Sequence, residues 1–380
     1  MKKHLLMLAL SATFGLSPLS HAKTAFVPPV PEIAGTAFLI EDVQSGQILG
    51  QKNLDERIEP ASLTKLMTAY LTFKALNQKT LSMDQELYAS EVAWKTEGSR
   101  MFLDPKVPVS VSDLIKGMIV QSGNDACVTL AEAIAGSEAG FAVMMNEQAR
   151  QLGMNNTNFE NSTGLPGEQH YTTVRDLATL SSAIMTDFPE HYKLYSIKDF
   201  TYNNIKQLNR NLLLYRDASV DGLKTGHTDS AGYNLIASSN RNGRRVLSVV
   251  VGTESSEARA NESSKLLNWA LQAFETPKIY DAKTAISKIR VYKGASNEVE
   301  VGFNQAVYVT VPRGQAGEIK PTLETIQPLV GPIKAGQKVG TLKIMVGEEV
   351  IATKDVVALK EVGEAGFFGR LWDTILLWFK

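Results

Sequence analysis

The chain has 380 residues, of which 44% are hydrophobic and 21% charged, an ordinary globular composition with length enough for about two domains. Its net charge of −1 gives no basic surface of the kind that nucleic acid requires. The only cysteine, Cys127, excludes an intramolecular disulfide and cysteine-based metal sites, and the histidines are too scattered to form a metal-ligand motif. We therefore expect no metal, no cofactor and no nucleic-acid partner.

The N-terminus has the pattern of a secretory signal peptide. A basic start at residues 2–4 precedes an apolar run over residues 5–16, which is short for a membrane span. A small-x-small cleavage pattern at residues 20–22 predicts that residues 1–22 are removed and that the mature chain begins at Lys23. The alternative is an uncleaved anchor. Export would place the protein outside the cytoplasm, where cell-wall peptides are found.

Hydrophobic periodicity predicts a mixed α/β region over residues 23–277. A strand hairpin opens it, four helices follow, and a second hairpin with an Asn242-Gly243 turn precedes a last helix. The predicted bounds are 36–40 and 47–49 for the first strands, 60–76, 111–119, 124–134 and 141–152 for the four helices, 235–237 and 245–251 for the second hairpin, and 263–274 for the last helix.

After Pro277 the chain changes to short segments in which apolar and polar residues alternate. Glycines and a Pro-Arg-Gly sequence separate these segments, as expected for strands joined by turns. The pattern predicts a small all-β domain over residues 278–358. The predicted strands are 287–292, 298–303, 307–311, 339–346 and 350–357.

The last segment, residues 359–380, predicts an amphipathic helix. Large apolar side chains between Phe367 and Phe379 fall on one half of a helical wheel, and Arg370, Asp373 and Lys380 fall on the other. We favour a helix that lies in a membrane interface, because so aromatic a tail would otherwise be a large exposed patch. A helix docked on the protein's own core is the alternative. Acidic residues outnumber basic ones here, so we expect weak, reversible binding to anionic lipid.

Three short motifs that supply the parts of a serine acyl-transfer site follow one another along the chain. They are Ser62-Leu63-Thr64-Lys65, Ser122-Gly123-Asn124 and Lys224-Thr225-Gly226. A serine is a poor nucleophile until a base takes its proton, and residues at i and i+3 share one face of a helix, so the first motif brings an amine to a hydroxyl. That amine must be neutral to act as a base, and burial together with a second cation such as Lys224 would lower its pKa.

Each motif alone is a weak signal. Ser-x-x-Lys recurs at residues 20–23 and Ser-x-Asn at 238–240, and Ser62 by itself would read as a helix N-cap. The joint order is specific. The first motif opens a predicted helix, the second lies at a helix edge and the third begins a strand, which are the settings that such a site needs.

This combination resembles the penicillin-recognising serine enzymes. Nearly the whole mature chain, with its β domain and amphipathic tail, resembles the low-molecular-mass penicillin-binding proteins that are D-alanyl-D-alanine carboxypeptidases. The resemblance implies an α/β (α+β) catalytic domain of the serine transpeptidase and β-lactamase type, followed by a small all-β C-terminal domain. Further segments that resemble the family are 161–165, 209–211, 220–223, 231–235 and 259–263.

The resemblance implies roles for the motif residues. Ser62 attacks the carbonyl between the two terminal D-alanines of a peptidoglycan stem peptide, and Lys65 is its general base. Ser122 relays the proton to the leaving D-alanine. Asn124 holds the substrate amide, and Lys224 sustains the positive potential of the site.

It also implies how the substrate is held. Thr225 and Arg259 bind the terminal carboxylate, and Gly226 lies on the strand edge that receives the peptide. The backbone N–H groups of Ser62 and His227 form the oxyanion hole. The acyl-enzyme then hydrolyses, which trims a pentapeptide stem to a tetrapeptide, and a β-lactam acylates the same serine because it mimics the D-Ala-D-Ala end.

Several nearby residues have structural interpretations. Cys127 is expected to be a small buried apolar side chain, and His227 to be a strand residue that lines the site without acid–base work. Arg210 and Asp176 are interpreted as members of structural ion pairs. His170 has no assigned role.

Three alternatives stay open at this point. A β-lactamase would need a glutamate in a Glu-x-x-x-Asn setting between the second and third motifs, and neither Glu160 nor Glu168 has that setting. An endopeptidase on cross-linked stems cannot be separated from a carboxypeptidase by sequence. A membrane-tethered binding protein for cell-wall peptides is the non-enzyme alternative. The expected location is the periplasmic face of the bacterial inner membrane, with peripheral attachment.

Overall fold

The computed structural model describes residues 27–379. The predicted signal peptide over residues 1–22, the predicted mature start at Lys23 and the terminal Lys380 lie outside the described residues. A region built on a five-stranded sheet and most of the helices comes first, and an all-β region with a terminal helix follows. The exact domain boundaries given by the sequence stay predictions.

The first region contains nine strands and nine helices within the described residues. The strands are β1 Ala37–Asp42, β2 Gln47–Lys52, β3 Glu86–Leu87, β4 Val109–Ser110, β5 Asp199–Tyr202, β6 Ile205–Leu208, β7 Val220–Thr228, β8 Gly232–Arg241 and β9 Arg244–Thr253. The helices are α1 Lys65–Asn77, α2 Glu91–Lys95, α3 Val111–Val120, α4 Asn124–Ala135, α5 Glu138–Gln151, α6 Val174–Asp187, α7 Pro189–Tyr192, α8 Leu213–Arg216 and α9 Ser256–Ala273.

The main sheet has the strand order β2-β1-β9-β8-β7 and is antiparallel throughout. Alternate residues of a strand face opposite sides, so Val249 packs into one hydrophobic cluster and Val250 into another. Helix α9 covers one face, and α6 packs on the other. Because both faces are covered, the central strands read as nearly continuous apolar runs. Strand β7 lies at the edge, which leaves one side of it open for an added strand.

Helix α1 lies in the middle of the helical part of this region. Its residues from Lys65 to Phe73 are all buried, including threonines, because other helices surround it. A 3-10 turn, Ala61–Thr64, leads into it. The start of this helix is therefore a rigid place for a nucleophile.

Most elements predicted in this region are confirmed to within a few residues. The third motif lies in the middle of β7, although the sequence predicted that it begins a strand, and the short elements α2, α7, α8, β3 and β4 were not predicted. The last helix begins at Ser256, earlier than predicted, because the hydroxyl of Ser255 caps it and accepts from the N–H of Ala258 at 3.0 Å. Helix α6 was not predicted, although the Thr173 cap and apolar residues at helical spacing signal it. The β5–β6 hairpin was also missed.

The second region contains ten strands and one helix within the described residues. They are β10 Phe274–Glu275, β11 Lys278–Tyr280, β12 Ser287–Tyr292, β13 Glu298–Gly302, β14 Val307–Tyr308, β15 Val311–Pro312, β16 Ile319–Thr325, β17 Leu329–Val330, β18 Lys338–Val346, β19 Glu349–Ala358 and α10 Phe367–Trp378. The main sheet here has the order β16-β18-β19-β13-β12-β17. The predicted strand 307–311 is divided into β14 and β15, which pair with β11 and β10. Strand β16 was missed because it contains Pro321, which an edge strand tolerates.

A buried polar cluster joins the two regions. Both oxygens of the fully buried Asp42 accept hydrogen bonds, one from Arg244 Nε at 2.8 Å and Thr276 Oγ1 at 2.6 Å, the other from Ser45. Ser45 Oγ lies 2.7 Å from Thr310 Oγ1 of the β region. These bonds fix the β region against the β1–β2 hairpin of the five-stranded sheet.

The terminal helix α10 differs from its prediction at one residue. Asp373, which the helical wheel placed on the polar outer face, is buried and accepts a hydrogen bond from the backbone N–H of Lys293. The carboxylate thereby holds the helix on the turn between β12 and β13. Large apolar side chains stay outside: Phe368 is 83% exposed and Trp378 is 80% exposed. Helix α10 is both docked and apolar on its outer face.

Within the described residues, no single helix is long and apolar enough to cross a membrane. Only α4 and α5 taken together reach that length and composition, and they are bent by 82° and contribute buried side chains to the core.

Candidate active site

The nucleophile turn brings Ser62 and Lys65 into contact. Lys65 Nζ donates to Ser62 Oγ at 2.9 Å and also to the carbonyl of Thr163. Ala61, just before the serine, has a left-handed backbone with φ of 47°. Gly164 packs so closely on this turn that a Cβ there would lie 1.8 Å from the Ala61 carbonyl oxygen, which only glycine permits. The first motif therefore forms the predicted nucleophile and base pair.

The environment of Lys65 prepares its amine to act as a base. The side chain is 1% exposed, and burial lowers its pKa to about 8, with the positive charge of Arg210 acting in the same direction. At pH 7 about one molecule in ten then carries a neutral amine. The sequence had named Lys224 as the second cation; Lys224 and Lys65 do act on each other through their charges, and Arg210 is a further cation that the sequence did not name.

Ser122 and Lys224 form a second hydroxyl and amine pair. Lys224 Nζ donates to Ser122 Oγ at 3.0 Å and to the carbonyl of Thr225 at 2.9 Å. Burial and then the charge of Lys65 hold the pKa of Lys224 well below its usual value. Ser122 has a φ of 68°, a left-handed conformation that is rare for serine and typical of strained functional positions.

Asn124 lies behind this pair at the first turn of α4. Its side-chain amide donates to the carbonyl of Glu97 at 2.6 Å, and its backbone N–H donates to the carbonyl of Ser99 at 2.6 Å. A Cβ at Gly98 would lie 2.8 Å from the Asn124 amide nitrogen, so the loop over it is tightly packed. Asn124 thus holds the 97–99 loop, and its predicted bond to the substrate amide stays a prediction.

Strand β7 supplies the third wall. Thr225, Gly226 and His227 follow one another along this edge strand, and each lines the cavity. A Cβ at Gly226 would lie 3.2 Å from the carbonyl of Pro60, so the strand approaches the nucleophile turn closely. An edge strand beside a nucleophile is a receptor for an extended peptide, which adds to it as a further strand.

These walls enclose a cavity of about 230 Å³. Six of the predicted site residues line it, and Lys65 and Lys224 lie beneath, bonded to Ser62 and Ser122. The lining residues are Ser62, Ser99, Ser122, Arg210, Thr225, Gly226, His227, Tyr233 and Arg259.

Two guanidinium groups face this cavity. Arg259 is 5% exposed, and burial followed by the charge of Arg210 lowers its pKa to about 10. It donates to the carbonyl of Gly226 at 3.2 Å and lies over the ring of Tyr233. Among residues 27–379 neither arginine has a carboxylate partner, which corrects the ion-pair interpretation of Arg210. Cations that line a cavity without carboxylate partners attract an anionic group of a ligand.

Sequence reasoning missed Ser99, Arg210 and Tyr233 as cavity residues. The last two lie in segments noted for their family resemblance, but nothing local to those segments places them beside Ser62. Cys127 is buried as expected, and burial raises the pKa of its thiol to about 12, so it is neutral. Neither Glu160 nor Glu168 is among the described residues that line the cavity.

Two family models match the chain. One, described as D-alanyl-D-alanine carboxypeptidase, matches residues 22–255, and the other, described as penicillin-binding protein 5, C-terminal domain, matches residues 274–364. The chain belongs to the D-alanyl-D-alanine carboxypeptidase family. The predicted family and fold class are therefore confirmed.

Relatives match over most of the length of this carboxypeptidase family member. It is 40% identical to D-alanyl-D-alanine carboxypeptidase DacC of Escherichia coli K12 over 370 residues, which cover 94% of this chain and 92% of the relative. Penicillin binding protein 5 from Haemophilus influenzae matches with a TM-score of 0.84 and 42% identity, covering 88% of this chain and 99% of that one. Penicillin-binding protein D2 from Listeria monocytogenes, solved in an ampicillin-bound form, matches with a TM-score of 0.56 and 34% identity, covering 64% and 99%.

Proposed function

We propose that this protein is a serine-type D-Ala-D-Ala carboxypeptidase that removes the terminal D-alanine from peptidoglycan pentapeptide stems. The observation that carries the proposal is the contact of Lys65 Nζ with Ser62 Oγ, made by a buried amine at the floor of a cavity with two unpaired arginines. The names of the relatives support the same activity.

Acylation starts at Ser62. Its Oγ attacks the carbonyl carbon between the terminal D-alanines, and its proton passes to Lys65 Nζ. The developing oxyanion is held by the backbone N–H groups of Ser62 and His227. Ser122 relays the proton: its Oγ, which accepts from Lys224, gives its hydrogen to the leaving amine and takes up the proton that Lys65 received from Ser62. The C–N bond breaks, and D-alanine departs. Water then hydrolyses the ester.

The terminal carboxylate binds the two arginines. Arg259 and Arg210 face the cavity without carboxylate partners, and Thr225 offers a hydroxyl on the same wall. The relatives are named as carboxypeptidases, which favours this activity over a DD-endopeptidase. A β-lactamase would need a glutamate for its water, and neither Glu160 nor Glu168 is among the described residues that line the cavity, so that alternative is not favoured either.

The decisive experiment measures D-alanine release from a pentapeptide that ends in D-Ala-D-Ala, with the purified mature protein and with Ser62→Ala. We expect release and labelling by a fluorescent penicillin from the wild type only. Labelling that persists in Ser62→Ala would remove the nucleophile assignment. Penicillin labelling without D-alanine release would favour an endopeptidase.

We also propose that α10 attaches the protein to the periplasmic face of the inner membrane. Support comes from its outer face, where Phe368, Trp372 and Trp378 are exposed while Asp373 fixes the helix on the β region. Aromatic rings of this kind suit the headgroup level of a bilayer. Removing residues 361–380 should release the protein from membranes and leave D-alanine release intact.

A matched variant separates the apolar face from the docking contact. Phe368→Ser with Trp378→Ser keeps Asp373 and should also release the protein from vesicles of anionic and zwitterionic lipid. Membrane association that survives both changes would show that the attachment lies elsewhere in the chain.

A further inference from the structure

His170 has no role in the scheme above, yet it lies directly behind the nucleophile. The imidazole is 3% exposed, and its Nε2 lies 2.8 Å from Oγ1 of Thr64, which is fully buried. Thr64 stands between Ser62 and Lys65 in the first motif. A histidine on a segment more than 100 positions along the chain therefore touches the turn that carries both reacting groups.

The hydrogen bonds fix the tautomer of this imidazole. The backbone N–H of Glu160 donates to Nδ1 at 3.2 Å, so Nδ1 carries no hydrogen. Nε2 must then carry it and donate to Thr64 Oγ1. Burial lowers the pKa of His170 to about 4, so the ring is neutral and keeps this pattern in ordinary assay conditions.

The segment on the other side of the imidazole holds Lys65. Asn161 Oδ1 accepts from the backbone N–H groups of Thr163 at 3.1 Å and Gly164 at 2.7 Å, which shapes a turn. The Thr163 carbonyl at that turn accepts from Lys65 Nζ. His170 Nδ1 thus accepts from the N–H of Glu160, just before this turn, and its Nε2 bonds to Thr64 in the nucleophile turn.

We propose that His170 is a positioning residue that sets the separation of these two turns, so that Lys65 Nζ reaches Ser62 Oγ and the Thr163 carbonyl together. The proposal rests on the proposed function, in which Lys65 is the base. A buried residue that holds the surroundings of a reacting group by hydrogen bonds keeps that group in its productive position.

Loss of the imidazole should loosen Lys65 and let water reach it. Burial is the main cause of the low pKa of Lys65, so hydration raises that pKa toward its usual value of 10.5. The charged groups that act on this amine, Arg210, Asp125 and Lys224, are unchanged by the substitution. The pH dependence of acylation therefore reports the position of Lys65.

The test measures the second-order rate of acylation by a fluorescent penicillin from pH 5 to 10, with the full mature chain. For the wild type the rate rises with pH through the pKa of the base. We expect His170→Ala to lower the rate at pH 7 on the order of 10²-fold and to move this rise to higher pH. His170→Gln keeps a hydrogen-bond donor at the place of Nε2, so it should restore most of the rate at pH 7 and most of the wild-type pH profile. His170→Asn, which keeps only an acceptor near Nδ1, should restore less.

Thr64→Val completes a double-mutant cycle. It replaces the Oγ1 hydroxyl by a methyl group and should reproduce the pH displacement of His170→Ala. The double variant should be little worse than either single change. His191→Ala is the matched control. The His191 ring stacks on Phe73 with 4.9 Å between the ring centroids and does not line the cavity, so this substitution should leave the acylation rate and its pH profile unchanged. If His170→Ala does not fold, His170→Gln and Thr64→Val decide.

Two failures are distinguishable. The positioning role would be overturned if the acylation rate of the folded variants rose at the same pH as that of the wild type. It would also be overturned if the decrease in rate were no larger than the decrease in the fraction of folded protein. A wild type that neither reacts with penicillin nor releases D-alanine would instead overturn the proposed function.

Discussion

The active site and the junction between the two regions both bury charge, and they treat it in opposite ways. At the junction, the carboxylate of Asp42 is saturated with donors, among them the guanidinium of Arg244. In the active site, Lys65, Lys224 and Arg259 are buried without a carboxylate partner among residues 27–379. A paired buried charge holds the fold together, whereas an unpaired one lowers stability and is kept where a substrate or a proton transfer uses it.

The largest expected effect tests whether the unpaired amine is a base. Lys65→Arg keeps a positive charge at the same place but cannot give up its proton near neutral pH. We expect acylation by penicillin and D-alanine release to fall by about 10³-fold, in the range that loss of a general base produces. Rates are measured on the folded fraction. A decrease below tenfold would show that Lys65 acts only as a cation.

Breaking the paired charge should affect stability and not chemistry. Asp42→Asn keeps the size of the side chain and leaves Arg244, whose side chain is 12% exposed, without its counter-charge, at a cost of about 3 kcal/mol of unfolding free energy. Urea denaturation measures this loss. The penicillin acylation rate of the folded variant should equal that of the wild type. A matched change, Asp55→Asn in the exposed pair with Arg175, should leave the urea denaturation curve nearly unchanged.

Removing the unpaired charge of Lys65 should stabilise the protein, whereas removing the paired charge of Asp42 should destabilise it. Lys65→Met fills the same space with an apolar side chain and should raise the unfolding free energy at pH 7 by about 2 kcal/mol while abolishing activity. The pKa of Lys65 is about 8 in the folded protein, below its value of 10.5 in the unfolded chain. Between pH 8 and pH 10.5 the unfolded chain therefore binds more protons than the folded protein. The burial penalty is full below pH 8, and wild-type stability should rise relative to Lys65→Met from pH 8 to about 10.5. A gain that is independent of pH would contradict this account.

The contrast also explains what the sequence could predict. The i, i+3 contact of Ser62 and Lys65 is local, so a helical pattern was sufficient to place it. Arg210 could not be placed, because its position at the cavity depends on how the segment before α8 packs against α9, where Arg259 donates to its carbonyl. Asp373 was assigned to the wrong face, because a helical wheel treats every polar residue alike and its partner, the N–H of Lys293, lies 80 positions earlier. His170 was left without a role for the same reason.

The smallest expected effect tests the cation at the cavity mouth. Arg210 is more exposed than Arg259, so water weakens its attraction for an anion. Arg210→Gln should raise KM for the D-Ala-D-Ala pentapeptide by about tenfold, which corresponds to about 1.4 kcal/mol of binding free energy, with a smaller change in kcat. Arg210→Lys, which keeps the charge, should restore part of the affinity.

A substrate with a C-terminal amide separates the two effects of this arginine. The amide carries no negative charge, so the KM difference between wild type and Arg210→Gln should disappear for it. The charge of Arg210 also lowers the pKa of Lys65, so its loss should raise the pKa of the base and move the pH profile of acylation upward with either substrate. An equal KM loss for acid and amide would mean that Arg210 shapes the cavity and does not bind the carboxylate. A pH profile that does not move would leave burial alone responsible for the neutral amine at Lys65.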